Sequence, residues 1–264
     1  MSIVFGAICP HPPVLLPSIG KENSDKLQNT KNALTSLEES IYISKPDTII
    51  VISPHGIISS DIFHLNIADR FYSNLEEFGD FTTKLEFSGD IQLASTIKQK
   101  AEVIDFPVSI ISEEKLDHGV TIPLNFLASH FSDIKILPIS YSMLSLDQHF
   151  EFGKFLYKEL IKNDKRIAII ASGDLSHRLS EDAPAGFSPK GKEFDEIIQS
   201  LLAKKDTEAI LKIDPELIKE SGECGLKSII TILGIFDEIN YSPEILSYEN
   251  PFGIGYMVAN LKIQ

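Results

Sequence analysis

Four stretches of the chain have a mainly apolar centre, without a regular alternation between apolar and polar positions. They lie at residues 2–9, 47–53, 133–142 and 165–172, and they are rich in isoleucine and valine. Such runs are typical of strands that helices cover on both faces, as in a parallel sheet. The pattern therefore predicts a buried central sheet.

Between the first two runs, apolar positions recur at spacings of three and four, which predicts an amphipathic helix that ends before Pro46. These positions are Leu27, Thr30, Leu34, Leu37 and Ile41. A strand, a helix and a second strand in this order return the chain to the sheet in parallel. Similar patterns predict helices at about residues 91–101, 146–161 and 193–218, and another after Gly225.

Weaker patterns predict shorter strands. Alternation from Asp61 indicates a half-exposed strand, and FTTKLEF from Phe81 and PVSII at residues 107–111 indicate two more. EILSYE and GIGYMVANLKI, joined through Asn250-Pro251-Phe252, predict a hairpin. We therefore predict a single α/β domain over residues 1–264, with a mostly parallel or mixed central sheet, helices on both faces and a C-terminal β-hairpin.

Charge and cysteine content narrow the range of partners. The formal net charge is −14 over 264 residues. Nucleic acids and anionic membranes require basic surfaces, so we expect neither as a partner. The two cysteines form no paired motif, and we see neither a signal peptide nor an apolar run of membrane-spanning length. We expect a cytoplasmic protein. The sequence does not determine the oligomeric state, for which a homodimer is one expectation.

Three of the seven histidines directly follow predicted buried strands: His11, His55 and His177. Any one of them alone would more often be a hydrogen-bonded core or loop residue. A buried strand, however, has no packing reason to end in an imidazole. Because the carboxyl ends of parallel strands share one edge, where open α/β sheets bind ligands, we expect His11 and His55 to meet there.

Two further segments carry candidate chemistry. His118 stands in a predicted loop before a helix whose first turn contains Pro123, and Glu223 and Cys224 precede an apolar helix. A helix N-terminus lowers the pKa of a nearby thiol, so Cys224 is more than a small apolar residue. Asp117 and Asp174 are candidates either for orienting imidazoles or for capping. We interpret His64, His130 and His149 as surface or packing residues, and Cys9 as a buried apolar residue.

Two imidazoles and one carboxylate on one face of a metal leave adjacent coordination positions free, as in non-heme Fe(II) oxygenases. His11, His55 and Glu223 would provide this set. Cys224 is the alternative third ligand, because adjacent residues rarely both face one ion. A thiolate in that position would favour zinc or copper over iron.

The motifs CPHPPVLLP, SPHG, LDHGVTIPL and SGDLSHRL, in this order, resemble the LigB-like superfamily of class III extradiol ring-cleavage dioxygenases. The resemblance covers essentially the whole chain. DLSHRLSEDAPAGFSPKGKEFD, ECGLKS and SYENPFGIGYMVA are similar to the dioxygenase-like module found ahead of AMMECR-type domains, which implies a functional link to such a protein. The related Memo proteins have a cysteine where the dioxygenases have their carboxylate.

This resemblance implies Fe(II) at His11, His55 and Glu223, a substrate contact at His118, and an acid/base role for His177. The expected partners are O2 and a small catechol-like or aminophenol-like aromatic. Two alternatives stay open. One is a zinc-dependent hydrolase that uses the same residues around Zn²⁺. The other is a Memo-like metal-binding or peptide-binding protein without dioxygenase activity.

Overall fold

The four apolar runs form strands, and the computed structural model, which describes residues 2–264, places them side by side in one sheet. In chain order the strands are β1 (Ile3–Cys9), β2 (Thr48–Ser53), β3 (Phe63–Asn66), β4 (Arg70–Ser73), β5 (Glu86–Gly89), β6 (Val108–Ile111), β7 (Lys115–Leu116), β8 (Lys135–Ser140), β9 (Ile167–Ser172), β10 (Tyr241–Glu249) and β11 (Tyr256–Ile263). The helices are α1 (Pro17–Gly20), α2 (Gln28–Ser44), α3 (Ile91–Val103), α4 (His118–Leu127), α5 (Leu146–Leu160), α6 (Pro189–Ala203), α7 (Thr207–Leu211), α8 (Pro215–Ser221) and α9 (Leu226–Ile235).

The centre of the sheet is parallel and its margins are mixed. β1, β9, β2 and β8 are parallel neighbours in that order. Beyond β1, the antiparallel pair β11 and β10 forms the C-terminal hairpin. Beyond β8, β5 pairs in parallel and β3 antiparallel. The predicted α/β class, with a mixed sheet and a terminal hairpin, is confirmed.

Alternate residues of the central strands face two different core layers. In β2, Ile50 and Ile52 pack in the layer that contains α3, α5, α6 and α9. Ile49 and Val51 pack in the opposite layer, with α2 and α4. All six residues of β2 are buried. The helices on both faces explain why the centre of this strand, residues 49–52, is continuously apolar.

The predictions for the shorter elements need correction. The strand expected to be half-exposed is β3, and its four residues are all buried. Phe63 stacks on Phe152 of α5, and His64 Nε2 lies 2.7 Å from Ser59 Oγ. The strand predicted from Phe81 forms only at Glu86–Gly89, because backbone and hydroxyl groups of the preceding threonines donate to the Asp80 carboxylate and hold a turn.

The helical region predicted at residues 193–218 is divided into α6, α7 and α8. The Asp206 carboxylate accepts a hydrogen bond from Ala209 N, and the Asp214 carboxylate accepts one from Glu216 N. Each aspartate therefore caps the start of a new helix. Pro215, at the first position of α8, cannot continue a preceding helix.

Asp90 links the sheet to α3 below the site, and its replacement by alanine is expected to destabilise the fold by about 3 kcal/mol. Its buried carboxylate accepts hydrogen bonds from Lys165 Nζ (2.6 Å), Thr48 Oγ1 (2.6 Å) and Leu93 N (3.1 Å). Burial raises the pKa of Asp90, but these hydrogen bonds outweigh burial and the net pKa is lowered. The stabilisation is therefore present above the unfolded-state pKa and is lost as pH falls through the lower folded-state value.

Urea unfolding at pH 7 measures this effect. Glu102→Ala is the matched control, since the exposed ion pair between Glu102 and Lys98 lies on the same helix. Exposed pairs contribute about 0–1 kcal/mol, so the control should change the free energy of unfolding little. Equal effects of the two substitutions would contradict the role assigned to Asp90.

Candidate metal centre

The candidate site lies at the carboxyl edge of the parallel strands β1, β9 and β2. Cys9, at the end of β1, is in register with Ser172, at the end of β9. Each strand carries a polar ligand-type residue two positions beyond its last residue: His11 after β1, Asp174 after β9 and His55 after β2. Parallel pairing therefore brings three distant segments together.

His11 and His55 meet as predicted. Their Nε2 atoms are 2.9 Å apart, and the two rings are nearly perpendicular, with an interplanar angle of 83°. His11 is buried, and its Nδ1 lies 2.9 Å from Ser172 Oγ. A partner at Nδ1 fixes the ring so that Nε2 faces His55. The role of the Ser172 hydroxyl was not predicted, although a signal for it exists in the sequence, since each of β2 and β9 ends in a serine.

His118 joins this pair, but from a helix rather than a loop. It is the first residue of α4, Asp117 caps that helix by accepting from Val120 N, and Pro123 lies in the second turn rather than the first. The Asp117 carboxylate also accepts a hydrogen bond from Ser53 Oγ at 2.6 Å. Asp117 is thus both the helix cap and the link between α4 and the end of β2.

The ring of His118 is stacked on that of His55, with centroids 4.1 Å apart and an interplanar angle of 26°. An imidazole nitrogen donates its lone pair in the plane of its ring. Two rings stacked face to face therefore do not both hold one ion in their planes. The perpendicular rings of His11 and His55 do allow this, so the arrangement favours those two as ligands and leaves His118 beside them.

Cys224 and Asp174 also contact His11. Cys224 Sγ is 3.7 Å from His11 Nε2, and the Asp174 carboxylate accepts a hydrogen bond from His11 N at 3.0 Å. Cys224 and Asp174 also hold each other, since Asp174 N donates to Sγ and Cys224 N donates to the Asp174 carbonyl. A Cβ on Gly173 would lie 2.1 Å from Gly225 Cα, so only glycine allows the two backbones to approach this closely.

Glu223, the residue predicted as third ligand, is placed differently. Its carboxylate accepts a hydrogen bond from Leu226 N at 2.6 Å, at the start of α9. Burial raises the pKa of Glu223 to about 7, against the opposing effect of that hydrogen bond. Within the described residues 2–264, Glu223 belongs to neither of the groups whose ligand atoms lie within 4.8 Å of one another. Those groups are His11, His55 and His118, and His11, Asp174 and Cys224.

The donor set fits a transition-metal ion. Imidazole suits iron, zinc and copper, and thiolate suits zinc and copper. Burial and the neighbouring imidazoles lower the pKa of His11, burial lowers the pKa of His55, and burial with the two other histidines lowers that of His118 to about 3. Neutral imidazoles carry the free lone pair that a metal needs. Because His11 belongs to both groups, an ion bound by either group would have His11 as a ligand.

A cavity of about 430 Å³ opens onto the cluster. His11, His55, His118 and His177 all contribute to its wall, as does Asp174. His177 Nε2 lies 4.0 Å from the Asp174 carboxylate, and its buried Nδ1 has no hydrogen-bond partner among residues 2–264. Because His177 lines the cavity, its ring is placed to exchange a hydrogen bond with a ligand there.

The other histidines lie elsewhere. His149 is fully buried on α5, where its Nδ1 lies 2.8 Å from the Ser145 carbonyl oxygen, so it is a packing residue. His130 is exposed and pairs with Glu38. His64 is buried in β3. Cys9 is buried in the core, and burial strongly raises the pKa of its thiol.

A buried carboxyl group supports the segment between Asp174 and His177. Asp195, on α6, accepts hydrogen bonds from Ser176 N (2.8 Å) and Tyr248 Oη (2.6 Å). This role was not predicted, because a single aspartate in a helix carries no signal of its function. A change at Asp195 therefore reaches the site through the backbone of Ser176 and through the charge that Asp195 places near Glu223.

Asp195 is expected to make stability fall as pH rises from about 4 to about 6. Burial raises the pKa of its folded-state carboxyl group to about 6, from an ordinary value of 3.8. The folded protein therefore binds the proton more tightly, and ionisation above pH 6 costs about 3 kcal/mol. Asp195→Asn should remove this part of the slope.

Urea unfolding of wild type and Asp195→Asn at pH 4.5 and pH 7.5 provides the test. Asp174 and Glu223 also have raised pKa values, so only the difference between the two proteins reports on Asp195. Parallel pH dependences of the two proteins would contradict the prediction.

Comparisons with known proteins support a common fold and family. The family model described as the catalytic LigB subunit of aromatic ring-opening dioxygenase matches residues 6–259. The crystal structure of uncharacterized protein JW3007 from Escherichia coli K12 superposes with a TM-score of 0.70, over 98% of this chain and 99% of that one, at 17% identity. This likeness concerns the fold.

The curated proteins that are similar in sequence include a Clostridium protein, a dioxygenase and a MEMO1 family protein. Protein CA_C1420 of Clostridium acetobutylicum is 32% identical over 99% of this chain, which spans 58% of the length of that relative. The 3,4-dihydroxyphenylacetate 2,3-dioxygenase of Escherichia coli is 25% identical over 76% of this chain and 78% of its own. A MEMO1 family protein of Sulfolobus acidocaldarius is 25% identical over 77% of this chain and 64% of its own. Separately, no helix within residues 2–264 is long and apolar enough to cross a membrane.

Proposed function

Because the chain belongs to the family of the catalytic LigB subunit of aromatic ring-opening dioxygenases, we propose that it is an Fe(II)-dependent extradiol dioxygenase of a small aromatic. The substrate class is a ring with two adjacent heteroatoms, as in a catechol or an aminophenol. The observation that carries this proposal is the pair of Nε2 atoms, 2.9 Å apart, at the wall of a cavity large enough for such a ring.

Each residue has a distinct role in this proposal. His11 and His55 hold the metal, and Cys224 or Glu223 completes the set. When bound, the metal would supply a positive, redox-active centre for the substrate heteroatoms and for O2. His177 takes a proton from the substrate hydroxyl and later returns one. His118, whose ring stacks on His55, donates or accepts a hydrogen bond at the substrate.

Anaerobic reconstitution with Fe(II), followed by oxygen-uptake measurements, tests this function. The panel contains catechol, 4-ethylcatechol, 2-aminophenol and 3,4-dihydroxyphenylacetate. We expect oxygen uptake together with the ultraviolet or visible absorption of a ring-opened product for at least one of them. Protein that holds iron and consumes no oxygen with any member of the panel would contradict the proposal.

His177→Ala is expected to keep the metal and lose turnover by about 10²- to 10⁴-fold, the usual contribution of a general acid or base. His177 has no ligand atom in either group of closely spaced ligand atoms among residues 2–264. The metal-to-protein ratio, measured beside oxygen uptake, separates the two effects. Loss of metal in this variant would make His177 a ligand instead.

A second candidate function is favoured by the position of the thiol. Cys224 Sγ, rather than the Glu223 carboxylate, lies beside His11. A soft ligand in that place favours zinc or copper and a Memo-like role in metal or peptide binding without ring cleavage. Protein purified without chelator that carries zinc or copper, and that cannot be loaded with iron, would support this second function against the first.

A further inference from the structure

The cavity beside the cluster has two walls of different chemistry. One wall carries the imidazoles and the buried Asp174 carboxyl group. The rest of the lining, called the apolar wall, comes mainly from the segment after His11 and from the turn into β11, through Val14, Phe252 and Ile254. Asn23 and Tyr256 add neutral polar groups to the lining. An aromatic ring whose two heteroatoms face His11 and His55 would therefore place its remaining atoms against the apolar wall.

Charge in the cavity is of one sign. Apart from the histidines, the lining residue with a charged type of side chain is Asp174, which carries a carboxyl group. None of the lining residues, all within residues 2–264, is a lysine or an arginine. Protein sites that recognise carboxylates commonly use arginine or lysine for this purpose, because a desolvated carboxylate without a cation is costly.

A basic group near the apolar wall is that of Lys26, whose Nζ lies 5.5 Å from the centroid of the Phe252 ring. Lys26 is exposed to solvent. A solvated ammonium group interacts weakly with a charge that is screened by water. Lys26 is therefore not a carboxylate-binding group of the cavity itself, although it stands close enough to be tested as one.

We propose that this site selects a catechol-like or aminophenol-like ring whose side substituent is uncharged or cationic, and that it discriminates against rings with a carboxylate substituent. This inference rests on the proposed function. It concerns which ring the cavity accepts, whereas the proposed function concerns what happens to the ring.

Binding to the Fe(II)-loaded protein under anaerobic conditions tests the inference independently of turnover. The probes are 4-ethylcatechol, dopamine and 3,4-dihydroxyphenylacetate, which share the catechol ring and differ in the end of a short side chain. We expect 3,4-dihydroxyphenylacetate to bind at least about tenfold more weakly than 4-ethylcatechol, and dopamine at least as tightly as 4-ethylcatechol. Equal or tighter binding of the carboxylate, or no binding of any catechol, overturns the inference.

Oxygen is then admitted to the same samples. Weaker binding of 3,4-dihydroxyphenylacetate than of 4-ethylcatechol, without oxygen uptake, supports the selectivity and overturns the proposed function. Oxygen uptake together with tighter binding of 3,4-dihydroxyphenylacetate than of 4-ethylcatechol supports the proposed function and overturns the selectivity. The two failures are therefore distinguishable.

Two substitutions sharpen the test. The carboxylate penalty is the ratio of the dissociation constant of 3,4-dihydroxyphenylacetate to that of 4-ethylcatechol. Ile254→Arg places a cation in the apolar wall and should reduce this ratio at least threefold. Ile254→Met, the matched control without charge, should leave it unchanged. Lys26→Ala should also leave the penalty unchanged. A tenfold further loss of 3,4-dihydroxyphenylacetate binding in Lys26→Ala would identify Lys26 as a carboxylate-binding group and overturn the inference.

Discussion

His11→Ala is expected to weaken metal binding by more than about a hundredfold and to abolish any activity that depends on the metal. His11 is the one residue that both groups of closely spaced ligand atoms among residues 2–264 share. It is 2.9 Å from His55 through Nε2, and 3.7 Å from Cys224 through the same atom. Even residues that only orient a ligand typically contribute 10- to 100-fold to metal affinity, so loss of the shared ligand should cost more.

Titration of metal-free protein with Zn²⁺ or Fe(II) in competition with a chelating indicator measures the affinity. His130→Ala is the matched control, since His130 is an exposed histidine paired with Glu38. Thermal unfolding without metal shows whether the His11 variant keeps its fold after losing the contact with Ser172. A folded His11→Ala protein with wild-type metal affinity would remove the cluster from consideration as a metal centre.

The sheet could be predicted from sequence because its physical signal is local. A strand covered on both faces is buried at every position and therefore mainly apolar, as β2 and β9 show. β4 was not predicted because its burial alternates over only four residues, with Arg70 and Tyr72 exposed. Tertiary contacts, rather than local pattern, decide whether such a short segment pairs.

The meeting of His11 and His55 could also be predicted, because it follows from strand direction alone. The direction of the third ligand could not. It depends on Gly222, whose φ of 64° turns the chain at the end of α8, and on the approach of Gly225 to Gly173. Neither the turn nor the approach has a periodic signature. The sequence places Glu223 and Cys224 at the site and leaves their orientation to long-range packing.

Separate contacts fix the orientations of Glu223 and Cys224. The Glu223 carboxylate satisfies an amide at the amino end of α9, where a helix leaves its first N–H groups without backbone partners. The Cys224 sulfur is held between His11 and the backbone of Asp174. Burial and the nearby Asp174 raise the pKa of the Cys224 thiol. A bound metal would displace that proton, since the thiolate is the form that ligates.

Cys224→Ser is therefore expected to lower metal affinity at least tenfold, whereas Glu223→Gln should change it less than threefold. The glutamine oxygen can still accept from Leu226 N, so the second variant keeps the helix cap and removes only the charge. Co(II)-loaded protein gives a readout that affinity alone does not: a thiolate-to-metal absorption band in the near ultraviolet should be present in wild type and Glu223→Gln and absent in Cys224→Ser.

The two outcomes separate the two candidate functions as well as the two ligands. If affinity falls only in Glu223→Gln and no thiolate band is seen, two imidazoles and a carboxylate hold the ion, which is the set suited to Fe(II) and O2 chemistry. If affinity falls only in Cys224→Ser, the third ligand is the thiolate, and oxygen uptake by the Fe(II)-loaded protein then decides between ring cleavage and metal binding without it. We expect the second pattern, because the sulfur already lies beside His11 and the carboxylate is already engaged at α9.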